Sequence, residues 1–234
     1  STAAVQAIYL GLGVSFIISL VGTLYYKDIL RLMGASEDVI INSSSYALWM
    51  FAGNYTVTLL FLINAIFRGA GNAAIAMKAL MLANILNMIL DPIFIFGWGP
   101  IPAFGVEGAA IATNLGRGIG VLFQLYFLLK GHSIIKIGWN NLGIKSDIIL
   151  NVIKVSGGSI LQFIIGSASW IFLMKLMSTF GENAVAGYTI AIRVFIFTLL
   201  PSWGLANAGA TLVGQNLGAQ RPDRLVDVRV AAVA

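Results

Sequence analysis

Cysteine is absent from this 234-residue chain, and histidine occurs once, at His132. The first absence excludes a disulfide framework, a thiolate nucleophile and a cysteine metal site; the second excludes metal catalysis by a histidine cluster. Charge is scarce as well: Asp, Glu, Lys and Arg together make up 10% of the residues, against 59% hydrophobic. That balance lies outside the averages of soluble domains and marks an integral membrane protein. The net charge of +5 does not signal nucleic acid, because the basic residues occupy connections in a hydrophobic chain, where they set topology. Low-complexity tracts and internal repeats are absent, and no constellation of acid, base and nucleophile is visible. The chain therefore reads as a non-enzyme without an organic cofactor.

What fills the sequence is apolar. Six stretches run approximately Thr2 to Tyr25, Tyr46 to Phe67, Ile75 to Phe96, Val106 to Leu129, Val152 to Phe180 and Val185 to Val213. Each is long enough for a helix to cross about 30 Å of hydrocarbon. Their apolarity is continuous rather than alternating, which excludes a transmembrane β-barrel. The expected fold class is therefore all-α, a polytopic membrane helical bundle with six transmembrane helices. No basic segment precedes the first stretch, so it does not read as a signal peptide. The chain opens on Ser1 and stops at Ala234 inside what reads as a new apolar run, and is expected to be an internal piece of a longer protein.

The connections alternate in charge, and the alternation sets an orientation. Arg68 and Lys78 flank the second connection; Lys130, Lys136, Lys145 and Lys154 populate the fourth; Arg221, Arg224 and Arg229 follow the sixth stretch. These sides are expected in the cytoplasm. The first connection mixes Lys27 and Arg31 with Asp28, Glu37 and Asp38, the third (Gly97 to Gly105) has no basic residue, and the fifth carries only Glu182. Those are expected outside. The longest connection, Gly131 to Asp147, sets Ile134, Ile135, Ile137 and Trp139 among lysines and reads as an interfacial linker between two bundles, or equally as an ordinary cytoplasmic loop. The division that follows is 1–130, the linker 131–147, and 148–234.

Only one acidic side chain, Asp91, lies deep inside any stretch. A charge in hydrocarbon costs at least about 2.5 to 3.5 kcal/mol on insertion scales, so an intramembrane carboxylate points to function, with a structural ion pair as the alternative. Asn84, Asn87 and Asp91 are spaced by three and then four residues, which projects them from one face of the third stretch. Core hydrogen bonding accounts for Asn84 as readily as a site does. Asp91 sits roughly six residues, or about 9 Å, below the outer end of its helix, and Thr113 about 10 Å below the same surface on the next. A carboxylate with amide and hydroxyl oxygens suits Na⁺; the same carboxylate, desolvated, holds a proton near neutral pH. Tyr46 reaches toward this layer from the second stretch, whereas Asn64 lies near the cytoplasmic end. Arg117, at mid-span in the fourth stretch, reads as a structural ion pair or carbonyl contact before a functional group. Lys175 and Arg193 lie where their side chains reach the interface. Trp49, Met50, Phe51 and Tyr55 line a pocket or simply pack.

The run FRGAGNAAIAMKALMLANILNMILDPIFIFGWGPIPAFGVEGAAIAT, Phe67 to Thr113, carries an arginine-glycine turn, an asparagine-rich helix, an aspartate-proline pair and a Gly-Ala-Ala-Ile-Ala-Thr start to the next helix. With PSWGLANAGATLVGQNLGA, Pro201 to Ala219, it resembles the multidrug and toxic compound extrusion (MATE) transporters along essentially the whole chain. The resemblance implies helices three to eight of a twelve-helix, two-lobe protein: part of the N-terminal lobe, the inter-lobe linker and the start of the C-terminal lobe. It implies a multi-pass protein of the cell membrane that exports cationic or amphipathic small molecules in exchange for Na⁺ or H⁺, with substrate held between lobes. Its partners would be the lipid bilayer and the remaining helices of the same transporter, and no nucleic acid.

By the same resemblance Asn87, Asp91 and Thr113 would be ligands of Na⁺ or H⁺ together with an aspartate of the first helix, which lies outside this sequence. Tyr46 and Asn64 would, by that resemblance, belong to the polar network or cavity of that lobe, and Asn84 is expected with them from its place on the polar face of the third stretch. Val152 to Phe180 contains no Asp or Glu, a departure from the branch that carries a glutamate in the seventh helix. The alternative readings are a lipid-linked saccharide flippase of the same broad fold, and a channel or membrane scaffold.

Overall fold

The computed structural model describes residues 2–130 and 143–220. His132, Trp139 and the rest of the linker up to Leu142, together with Arg221, Arg224 and Arg229, lie outside the described residues. Within them the chain is helical: α1 (Thr2–Leu32), α2 (Glu37–Ala52), α3 (Asn54–Gly69), α4 (Ala73–Phe96), α5 (Val106–Lys130), α6 (Ser146–Ser178) and α7 (Glu182–Gly218). It divides into two compact units, Ser1–Phe67 with Asn72–Gln162, and Arg68–Gly71 with Phe163–Ala234.

Among the described residues four helices are long and apolar enough to cross a membrane: α1, α4, α6 and residues Asn183–Gly218 of α7. A fifth crossing is counted if α2 and α3, bent by 44° at their junction, form one broken span. The helix α5 is long enough, but Glu107, Asn114, Arg117 and Gln124 dilute its apolarity. Such a helix needs protein rather than lipid along its polar face, and α2 and α3 supply it: Trp49 bonds to Glu107 and Asn114, and Asn64 to Gln124.

Two boundaries differ from the sequence reading. The first apolar stretch ends at Tyr25, yet α1 continues to Leu32 through a kink there (φ −115°, ψ 17°). Beyond it Arg31 pairs with Asp28 at 3.5 Å and with Glu37 at 3.0 Å, so the charged connection is ordered as helix and turn. The second stretch, read as one run from Tyr46, starts instead at Glu37 and breaks at Gly53. Glu37 and Asp38 lie in the first turn of α2, where carboxylates complement the exposed amides of a helix start.

The core of the first unit is the pairing of α4 with α5. On α5 the residues Gly108, Ala112, Gly116, Gly120, Gln124 and Leu128 are all buried, and they recur every four positions. On α4 the facing ridge is Ala79, Ala83, Asn87 and Asp91, again at steps of four. Two such ridges interlock when their residues are small. A β-carbon on Gly116 would lie 2.7 Å from the Ala83 carbonyl oxygen, and one on Gly120 3.1 Å from Ala83 Cβ. The connection between the helices is short and tied down: the Phe104 amide donates to the Phe94 carbonyl at 2.9 Å and that of Gly105 to Ile95 at 3.1 Å. This register brings Thr113 level with Asn87.

At the start of α1, Gln6 is fully buried. Its Nε2 donates to the Gly143 carbonyl at 2.8 Å and its Oε1 accepts from the Lys145 amide at 3.1 Å, fixing the segment that leads into α6.

Candidate functional site

Asn87, Asp91 and Thr113 meet between α4 and α5. Asn87 Nδ2 donates to Asp91 Oδ1 at 2.9 Å and to Thr113 Oγ1 at 3.2 Å. The Thr113 hydroxyl spends its own proton on the Ala109 carbonyl at 2.8 Å, which leaves its lone pairs toward Asn87. All three residues are half-buried. The amide nitrogen thus stands between a carboxylate oxygen and a hydroxyl oxygen. Turning the Asn87 amide by 180° exchanges its two donors for a carbonyl oxygen and converts the cluster into three oxygens facing one point. Among the described residues no group of three or more His, Asp or Glu side chains comes together, so a transition-metal centre has no ligand set there and an oxygen-ligated ion is the chemistry the cluster fits.

Asn84 does not join the cluster. It is exposed, because α5 covers the ridge at steps of four that runs through Ala79, Ala83, Asn87 and Asp91, and Asn84 falls beside that ridge. Asn64 is fully buried but lies elsewhere, against Gln124, whose Nε2 donates to Asn64 Oδ1 at 2.6 Å. Asn64 Nδ2 and Gln124 Oε1 are buried without a partner. Tyr46 lies in the body of α2 rather than at its opening. Arg117 makes no ion pair among the described residues.

Asn114 and Thr56 escape the sequence reading, which names Trp49 and Tyr55 beside them. Asn114, next to Thr113, donates from Nδ2 to the Trp49 carbonyl at 2.8 Å, and its Oδ1 lies 3.2 Å from Thr56 Oγ1. The Trp49 indole donates to Glu107. Trp49, Tyr55, Thr56, Leu59, Asn114 and Leu115 line part of a groove of about 470 Å³ between α3 and α5. Phe51, from the same aromatic run, packs instead on Gly22 of α1. The Gly53-Asn54 pair inside an apolar run was the signal that a break stood there.

The family model MatE matches residues 1–93 and 158–233. The chain belongs to the MatE family. It is 27% identical over 215 residues to the probable multidrug resistance protein YoeA of Bacillus subtilis, covering 91% of this chain and 46% of that protein. To the multidrug export protein MepA of Staphylococcus aureus it is 26% identical over 227 residues, covering 97% of this chain and 49% of MepA. A solved MOP superfamily transporter from Pyrococcus furiosus, whose binding pocket of reversed polarity suggests a different function for it, superposes with a TM-score of 0.86 at 30% identity, over 99% of this chain and 51% of that one. The chain thus spans about half the length of the curated relatives it matches. Family membership and the apolar helices make this MatE chain part of a multi-pass membrane protein, and its relatives are export and transport proteins rather than enzymes.

Proposed function

We propose that the chain is part of a secondary antiporter that exports cationic or amphipathic small molecules in exchange for Na⁺ or H⁺, with Asp91 as the ion or proton ligand and Asn87 and Thr113 as its oxygen co-ligands. The observation that carries this reading is the bonding of Asn87 to both Asp91 and Thr113 within otherwise apolar helices. A carboxylate there has no basic partner to explain it as a structural ion pair, since the salt bridges among the described residues both belong to Arg31. An ion that binds one state of the transporter better shifts its equilibrium by that difference in affinity, which is how a gradient drives export.

In this reading α1, the broken α2–α3 span, α4, α5, α6 and α7 make six crossings of a twelve-helix transporter. Residues 1–130 belong to its N-terminal lobe, 131–147 are a cytoplasmic linker and 148–234 open its C-terminal lobe. Its partners are the small-molecule cargo, the lipid bilayer and the remaining helices of the same protein. The names of YoeA and MepA support drug-like cargo. The pocket of the Pyrococcus furiosus relative is the reason to measure cargo polarity directly.

The test is Asp91→Asn in the full-length protein, with efflux of a cationic dye followed under imposed Na⁺ and pH gradients. The substitution keeps size and hydrogen-bonding capacity and removes the charge. Gradient-driven efflux is expected to collapse while folding and insertion persist, because neutralising a buried carboxylate also removes a desolvation cost. Wild-type efflux from Asp91→Asn would make the carboxylate structural and overturn the assignment.

A further inference from the structure

The junction of α2 and α3 interrupts the regular helical bonding, and side chains from three helices gather on its carbonyls. Ser19 of α1 stands with its Oγ 3.4 Å from the Ala52 carbonyl oxygen. Thr56 Oγ1 lies 2.8 Å from the Gly53 carbonyl oxygen. From the other side Asn114 of α5 donates to the Trp49 carbonyl at 2.8 Å, and that oxygen already accepts the Gly53 amide at 2.9 Å. Any β-carbon on Gly53 would overlap the Asn114 side chain. Asn114 is therefore seated in the break, its Nδ2 bonded to the Trp49 carbonyl, its Oδ1 beside a Thr56 hydroxyl whose one proton it shares with the Gly53 carbonyl, and closed over by a residue that has no side chain.

Thr113 is the next residue on the same helix. Its hydroxyl oxygen is 3.2 Å from Asn87 Nδ2, at the long end of a useful hydrogen bond. A helix rises about 1.5 Å per residue, so sliding α5 by less than one residue takes that contact out of range. The Gly116 and Gly120 contacts set how closely α5 approaches α4, but a ridge of small residues resists sliding less than a bonded side chain does. We propose that Asn114 is a positioning residue: locked into the α2–α3 break, it fixes the height and rotation of α5 and thereby holds Thr113 against Asn87 and Asp91.

This inference rests on the coupling-ion reading of that cluster, and its test separates the two. Full-length protein is reconstituted in liposomes, and dye efflux is measured against Na⁺ concentration and against pH for wild type, Asn114→Ala, Thr56→Val and Asp91→Asn. Asn114→Ala is expected to raise the ion concentration for half-maximal efflux by about two- to threefold, no more than losing the Thr113 ligand itself would, with a much smaller change in maximal rate. Thr56→Val keeps side-chain volume and deletes one partner of Asn114, and should shift the same curve in the same direction by less. It carries the test if Asn114→Ala does not fold. Gly53→Ala, which collides with Asn114, should displace the curve in the wild-type background and add nothing once Asn114→Ala is present. An unchanged ion dependence in folded Asn114→Ala or Thr56→Val, beside an inactive Asp91→Asn, overturns the positioning role alone. Wild-type efflux from Asp91→Asn overturns the coupling-ion reading and this inference with it.

Discussion

Thr113 faces Asn87 across the α4–α5 interface, its hydroxyl oxygen 3.2 Å from the amide nitrogen. This contact ties the carboxylate-bearing helix to its neighbour, because Asn87 also holds Asp91 at 2.9 Å. The three side chains act through one amide, and their removal should not be equivalent.

Asn87→Ala removes the bridge and a neutral oxygen, while Thr113→Ala removes only the second hydroxyl contact. In the antiporter reading both retain the charge of Asp91, so both keep gradient-driven efflux. Asn87→Ala should raise the ion concentration for half-maximal efflux by about tenfold and Thr113→Ala by a few-fold, the range expected for losing one or two hydrogen bonds to a charged group. Efflux measured over a Na⁺ series and a pH series decides the order. A larger effect from Thr113→Ala would contradict the bridging role of Asn87.

The cluster was legible in the sequence for a physical reason. Asn87 and Asp91 are one helical turn apart, and counting residues from the two helix ends that meet near Gly97 to Gly105 places Thr113 at the same depth. Helix geometry alone fixes both facts. Asn84 satisfies the same periodicity but stands outside the cluster, because which ridge of α4 is covered depends on where the small residues of α5 lie. Asn114 was not legible, since its partners, the Trp49 carbonyl and the Thr56 hydroxyl, reach it only through the way α2 and α3 turn at Gly53 beside α5. The helical class of the fold followed from continuous apolarity. The crossings did not reduce to apolar length, because α5 hides its polar side chains against protein and α2–α3 is bent.

The small ridge of α5 makes a stability prediction. Gly116→Leu inserts a side chain where even a β-carbon would stand 2.7 Å from the Ala83 carbonyl oxygen, and overpacking of this kind costs about 1–3 kcal/mol or more. Gly118→Ala, where nothing lies within 4 Å of the added carbon, is the control. It gains about 0.5–1 kcal/mol of helix propensity. Thermal denaturation in detergent should show Gly116→Leu melting well below wild type and Gly118→Ala at or above it. Equal melting of the two would mean that α4 and α5 do not pack through this ridge.

Orientation follows from the charge pattern, and the absence of cysteine in this chain simplifies its measurement. Single cysteines at His132 and Arg224 should be protected from an impermeant thiol reagent in intact cells, and cysteines at Gly99 and Glu182 should react, because basic residues collect on the cytoplasmic side. Reaction of both sets from outside would rule out the six-crossing arrangement.

Asn64 and Gln124 allow the structural and functional roles of a buried polar pair to be separated. Both are fully buried, they meet at 2.6 Å, and each leaves one polar atom without a partner. Replacing one member alone, as in Gln124→Met, strands Asn64 Oδ1 as well as Nδ2 and should cost about 1–3 kcal/mol. Replacing both, as in Asn64→Leu with Gln124→Met, removes every stranded atom and should recover most of that loss, since an apolar pair of similar volume fits a helix interface without desolvation cost. Thermal melting of the two single variants and the double variant gives the coupling between them, expected to be favourable by about 1 kcal/mol or more. Dye efflux by the double variant then assigns the role of Asn64. Restored stability with wild-type efflux makes the pair structural, whereas restored stability with lost efflux places Asn64 in the transport path, as its resemblance to the polar network of the lobe implies.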